Sequence, residues 1–204
     1  MNIRDKGKRA RCKNCGFPQK TCLCDWVHPL DSPLNIIILQ HPKETNHAKN
    51  TVKLLNLGLR NLHVLQGETP EDWESLVKAI SNKAENYSLC YPNQHSIAIE
   101  SISSSTKKTQ YFPIHHHVIF IDASWRKALK IWYLNPWLHE LPSWHFNNPP
   151  KNQYHIRHTT QKNSLSTLES VAYVLEHSHN TDCSALYNLF TKMQQQSFVQ
   201  NRSR

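Results

Sequence analysis

Short apolar runs, each closed by a polar or turn-forming residue, alternate along the chain with segments whose apolar positions recur every three or four residues. The clearest junction is Val118-Ile-Phe-Ile-Asp-Ala-Ser-Trp125. Its continuous apolar, mostly β-branched residues predict a strand buried on both faces, as in parallel sheets covered by helices. Beyond it Trp125, Ala128, Leu129 and Trp132 fall at i, i+3, i+4 and i+7. That spacing predicts a helix that buries this face and leaves Arg126, Lys127 and Lys130 off it. Asp122 then stands between strand end and helix start, where open α/β sheets keep their ligands. An aspartate there can equally serve as a helix N-cap.

The same alternation extends to both sides. Asn35-Ile-Ile-Ile-Leu39 predicts a buried strand, and Val52, Leu55 and Leu59 extend a helical stripe from Ala48. Leu62 to Leu65 reads as a short strand. Thr69-Pro-Glu-Asp72 opens a helix striped by Trp73, Leu76, Val77, Ile80 and Ala84. Ser88-Leu-Cys-Tyr91 is a further strand closed by Pro92, and Tyr154-His-Ile-Arg157 reads as the last one. The Ser-rich stretch 101–109 predicts a surface loop, and residues 135–150, rich in Pro, Trp and Asn, an irregular covering segment. Ser166-Thr-Leu-Glu169 has the capping-box spacing before the stripe Leu168, Val171, Ala172 and Leu175. Leu186, Leu189, Phe190 and Met193 predict a last core helix, with a frayed tail over 194–204. Strands alternating with helices define an α/β domain with a mostly parallel sheet flanked by helices.

Charge adds a partner class. The 204 residues carry 24 Lys and Arg against 15 Asp and Glu, a net charge of +9. Arg4, Lys6, Lys8, Arg9, Arg11, Lys13 and Lys20 crowd the amino terminus, which favours nucleic acid as partner. No apolar run approaches the roughly 18 residues of a membrane span, and the polar, basic start lacks the core of a signal peptide. A cytoplasmic location with reduced cysteines is therefore expected.

In that setting Cys12-x2-Cys15-x6-Cys22-x-Cys24 favours a structural zinc site over disulfides, with a redox pair or four unrelated thiols as the other readings. Residues 1–30 are thus expected to form a basic zinc-binding segment ahead of the main domain over 31–204. Cys90 and Cys183 read as small core residues. His115-His-His117 is not read as a metal tract, because successive side chains on a strand face opposite ways. With only four glycines, no Gly-rich phosphate loop is available.

Asp122-Ala-Ser-Trp125 resembles the Asp-x-Thr-Trp signature of the DTW-domain proteins, with Ser124 in place of the usual Thr. Further blocks similar to that family follow in order: the cysteine cluster, His41-Pro-x-Glu44, Asn50-Thr51, Tyr91-Pro92, Tyr154-x-Ile-Arg157 and Ser166-Thr-x-Glu169. The resemblance spans about Cys12 to Glu176 and implies a SPOUT-like, knotted sheet. It implies a tRNA-uridine aminocarboxypropyltransferase that moves the 3-amino-3-carboxypropyl group of S-adenosylmethionine to N3 of a uridine. Asp122, Trp125 and Arg126 would then serve catalysis. Tyr91, Pro92, Asp122, Arg157, Ser166, Thr167 and Glu169 would hold the cofactor. Arg9, Arg11, Lys13, His41, Glu44, Asn50 and Thr51 would face tRNA, and Cys12, Cys15, Cys22 and Cys24 would bind zinc. A SPOUT-type RNA methyltransferase and a non-catalytic zinc-containing RNA-binding module are the competing expectations, and oligomeric state is left open.

Overall fold

The computed structural model describes residues 10–45, 50–102, 104–154 and 164–202, with the side chains of 197–202 excepted. Among the described residues six strands form one sheet: β1 (Asn35–Gln40), β2 (Leu62–Gln66), β3 (Tyr87–Cys90), β4 (Ile97–Ala98), β5 (His117–Asp122) and β6 (Ser143–His145). Their order is β2-β1-β5-β3-β6-β4, and every described pairing is parallel. The helices are α1 (Val52–Gly58), α2 (Glu74–Asn82), α3 (Ser105–Tyr111), α4 (Trp125–Leu134), α5 (Thr167–His179) and α6 (Ser184–Arg202).

The two alternating faces of the central strands explain the layers. Ile36, Ile38, Val118 and Phe120 point to one core, shared with α1, α5 and α6. Ile37, Leu39, Leu89 and Ile119 point to the other, shared with Trp73, Leu76 and Ile80 and with Ala128 and Ile131 of α4. β1 and β5 are buried on both faces, so each reads as one uninterrupted apolar run. Cys15 and Leu23 lie in the first core, which joins the cysteine segment to the main body. Gln196 of α6 donates to the Cys22 carbonyl, and Lys192 stands 4.8 Å over the Trp26 ring.

Several expectations are corrected. Residues 105–111 form α3 rather than a loop, with Ser104 accepting from the Lys107 N–H as N-cap. β4 and β6 appear where no strand was expected, and α6 runs through the supposed tail to Arg202. Tyr154 lies outside any strand, and the remainder of the proposed last strand, 155–157, is outside the described residues. On α4 the buried positions are Ala128 and Ile131, while Trp125 and Leu129 are exposed.

Candidate active site and thiolate cluster

β1 and β5 are adjacent, yet the helices that follow them lie on opposite faces: α1 on one, α4 on the other. Their connections diverge at the carboxyl ends and leave the crevice in which open α/β sheets hold ligands. Register puts Gln40 directly opposite Asp122 at that point. Both are buried.

The Asp122 carboxylate is not a cap of α4. Its Oδ2 accepts from Gln40 Nε2 at 2.8 Å, and its Oδ1 accepts from Thr167 Oγ1 at 2.6 Å. Thr167 is the first residue of α5, so these bonds tie strand, neighbouring strand and a distant helix start to one carboxylate. Each carboxylate oxygen keeps a further lone pair for a ligand proton. Ser124 is the α4 N-cap residue. Gln40 was missed as a site residue; its one signal in the sequence is a polar amide closing an otherwise apolar strand.

Around the crevice, the loop after β1 is held by its own polar groups. His41 Nδ1 accepts from the Lys43 N–H, so Nε2 carries the ring proton and donates to Glu68 Oε1 at 3.1 Å. Lys130 Nζ meets the other Glu68 oxygen at 2.9 Å and, with His41, holds that carboxyl below its ordinary range against partial desolvation. Lys127 Nζ meets Glu44 Oε1 at 3.0 Å. Asn50 donates to the Glu44 carbonyl and accepts from the Val52 N–H, starting α1. His41, Glu44, Asn50 and Thr51 are thus buried rather than displayed on the surface.

Of the remaining site candidates, Tyr91 is buried at the end of β3 and stacks on Trp132, with ring centroids 5.4 Å apart, while Pro92 is exposed. Ser166 and Glu169 form the capping box: Glu169 Oε2 accepts from the Ser166 N–H, and its Oε1 accepts from the Gln153 N–H. Trp125 and Arg126 open α4 at the surface, Trp125 with 46% of its area exposed, so it is not a core residue. Arg11 and Lys13 are exposed. Burial and then the charge of Arg11 lower the Lys53 ammonium. Lys53 is the second residue of α1, so Arg11 lies on the side of that helix's start. Arg9 and Arg157 lie outside the described residues.

The four amino-terminal cysteines converge. Their sulfurs all lie within 4.8 Å of one another, with Cys12–Cys24 at 3.5 Å and Cys15–Cys22 at 3.7 Å. A tetrahedron with metal–sulfur bonds of about 2.3 Å has edges of about 3.8 Å, so the donors fit a metal such as zinc. Gly16 makes the turn with φ of +71°, a region that favours glycine. The backbone N–H groups of Cys15 and Asn14 pull the Cys12 thiol down to about 6, while Cys22 and Cys12 push Cys24 up to about 12. One thiol ionises readily and makes the next harder to ionise, an imbalance that a bound cation removes.

These features define an α/β protein with a buried aspartate at a topological switch point and a four-cysteine segment packed against its carboxyl-terminal helix. The chain belongs to the DTW-domain family, whose sequence profile matches residues 9–198. It is 29% identical over 174 residues to tRNA-uridine aminocarboxypropyltransferase 2 of Macaca fascicularis, covering 82% of this chain and 56% of that protein. The Drosophila melanogaster protein of the same name is 28% identical over 174 residues, covering 82% of this chain and 66% of its own length. A shorter match, 47% identical over 58 residues, is to tRNA-uridine aminocarboxypropyltransferase A of Arabidopsis thaliana, covering 27% and 22% respectively. The chain therefore spans well under the full length of these relatives. No solved structure matches it.

Proposed function

We propose that this chain transfers the 3-amino-3-carboxypropyl group of S-adenosylmethionine to N3 of a tRNA uridine, forming acp3U and releasing methylthioadenosine. The observation that carries the reading is the Asp122 carboxylate, buried at the switch point and fixed by Gln40 and Thr167. The names of the relatives supply the reaction and the substrate class.

Bound S-adenosylmethionine supplies a carbon made electrophilic by the adjacent sulfonium. Uridine N3 carries a proton and is a poor nucleophile near neutral pH, so a positioned base accelerates attack. Asp122 takes that proton on a free lone pair as the N–C bond forms. The C–S electron pair returns to sulfur, which leaves as a neutral thioether. Trp125 offers an exposed ring for stacking on the uracil, and Arg126 a phosphate contact. The start of α5, with Ser166, Thr167 and Glu169, lies where free N–H groups favour an amino acid carboxylate. Arg157 serves the same carboxylate, and Tyr91 with Pro92 borders the pocket. The SPOUT-like knotted passage is part of this proposal; its support is the return of the α5 start to the carboxyl edge of the sheet.

Arg9, Arg11 and Lys13 hold tRNA phosphates, while His41, Glu44, Asn50 and Thr51 shape the floor beneath the RNA. Zinc at Cys12, Cys15, Cys22 and Cys24 is structural, because four thiolates leave no open position for chemistry. A cytoplasmic site of action fits the tRNA substrate, and among the described residues no helix is long and apolar enough to cross a membrane. The test is nucleoside mass spectrometry after incubating the protein with unmodified tRNA and S-adenosylmethionine. A uridine carrying the aminocarboxypropyl mass, absent with Asp122→Ala, is expected. A methylated nucleoside overturns the reading.

A further inference from the structure

We infer that the outer face of α4 is a stacking ledge that continues from Trp125, beside the target uracil, along Leu129 and Tyr133 to unpaired bases of the RNA next to it; the inference rests on the proposed RNA substrate. Trp125, Leu129 and Tyr133 recur every fourth residue and are 46%, 46% and 69% exposed, so they form one apolar strip along the outside of the helix. Burial cannot explain them, because the core-facing positions of α4 are Ala128 and Ile131. The strip begins three residues after Asp122 and, at about 1.5 Å per residue, runs about 12 Å away from the crevice. It is therefore continuous with the place where a nucleotide would meet the base.

The charges beside the strip point to RNA. Trp125–Leu134 contains no acidic residue, and Arg126 and Lys130 border the strip; Lys130 is already paired with Glu68, and Lys127 lies on the far side of the helix, paired with Glu44. Aromatic rings edged by cations are the combination that binds single-stranded nucleic acid, since every base has a face to stack and every linkage a charge to neutralise. A strip of three residues is far short of the roughly 800 Å² per partner that a stable protein interface buries, whereas one ring suffices for one base.

The ledge is also held in place. Lys127 is tied to Glu44 and Lys130 to Glu68, and the buried Asn135 just past α4 donates to the carbonyls of Glu68 and Ile131. The helix that carries the strip is thus tied to the loops after β1 and β2 before any RNA arrives, which limits the entropy lost on binding.

The experiment measures the affinity of the full chain for an unmodified tRNA transcript by fluorescence anisotropy, with Tyr133→Ala, Leu129→Ala and Tyr133→Phe. Tyr133→Ala is expected to weaken binding by about tenfold, in line with loss of one stacked base. Leu129→Ala should weaken it less and Tyr133→Phe hardly at all. The salt dependence should keep its slope, because no phosphate contact is removed. Unchanged affinity in Tyr133→Ala overturns the ledge, as does an equal loss in Tyr133→Phe. A concentration-dependent dimer dissolved by Tyr133→Ala also overturns it and assigns the strip to a second copy. Because the readout is binding, the two ideas fail separately. Weakened binding without any acp3U product from the parent protein leaves the ledge and removes the transferase; normal product with unaltered Tyr133→Ala binding does the reverse.

Discussion

Gln40 Nε2 lies 2.8 Å from Asp122 Oδ2, across a register in which these two residues end neighbouring parallel strands. The amide also faces Asn50 Oδ1 at 3.4 Å, so its orientation is fixed by the loop that starts α1. A donor held this way sets the direction of the carboxylate. Gln40→Leu should leave the fold intact and lower kcat by up to about 10²-fold, the scale of a misaligned reacting group. Gln40→Glu gives a sharper test. It sets a second carboxyl beside Asp122, and two such groups share a proton at pH values where one alone would be ionised. The acid limb of the kcat profile should move to higher pH. An unmoved profile with unchanged kcat in both variants would remove Gln40 from the positioning role.

The cysteine cluster leads to a stoichiometry. Native mass spectrometry of the zinc-reconstituted chain should show one zinc, lost in Cys12→Ser and in Cys24→Ser. The segment from Cys12 to Cys24 is short, and within it Leu23 alone is fully buried in the main core. Chelation should therefore speed tryptic cleavage after Lys13 and Lys20 while the sheet stays folded, as circular dichroism would report. Unaltered cleavage on chelation would mean that metal does not hold this segment.

The central junction was legible because its local signals agree: a run buried on both faces, a polar end, a change of period. The zinc-compatible cluster was legible because its ligands sit close in sequence. The Gln40–Asp122 pair was not, since its 82-residue separation is closed only by sheet register. The face of α4 was misassigned for a different reason. Apolar spacing at Trp125, Ala128, Leu129 and Trp132 satisfies the helical pattern, but apolar residues are not obliged to be inside, and Ile131 took the buried position. The helix over 105–111 has no buried residue at all, so no stripe could announce it.

His116 makes stability depend on pH. Its Nε2 lies 3.0 Å from Ser88 Oγ, while Nδ1 is buried and has no hydrogen-bond partner among the described residues. Leaving Nδ1 as a bare acceptor costs less than burying an unpartnered N–H, so the ring is neutral with Nε2–H donating to Ser88. Burial first, then the neighbouring His117, depresses its pKa to about 4. The unfolded ring binds its proton as pH falls through its ordinary range, whereas the folded ring stays neutral until about 4. The unfolded state therefore holds more protons in that window, and stability falls as pH is lowered from about 6.5 to about 4, by at most about 3 kcal/mol. It is fully present above that window. Urea unfolding at pH 7.5 and 5 should show a steeper loss in the parent than in His116→Gln. Equal slopes would contradict the assignment.

Thr167 supplies the second bond to Asp122, at 2.6 Å, from the first residue of α5. This hydroxyl links a helix start 45 residues downstream to the carboxyl edge of the sheet. A hydrogen bond to an ionised group contributes about 1.5–3 kcal/mol, so Thr167→Val, which keeps the shape and removes the donor, should lower kcat by roughly 10- to 100-fold. Thr167→Ser restores the donor and should recover most of that loss. The Ser166–Glu169 capping box is untouched by either change, so the helix should start where it did and the melting midpoint should move little. The decisive comparison is the ratio of single-turnover rates for the two variants at saturating S-adenosylmethionine and tRNA. If Val and Ser behave alike, the hydroxyl serves only packing, and Asp122 is oriented by Gln40 alone.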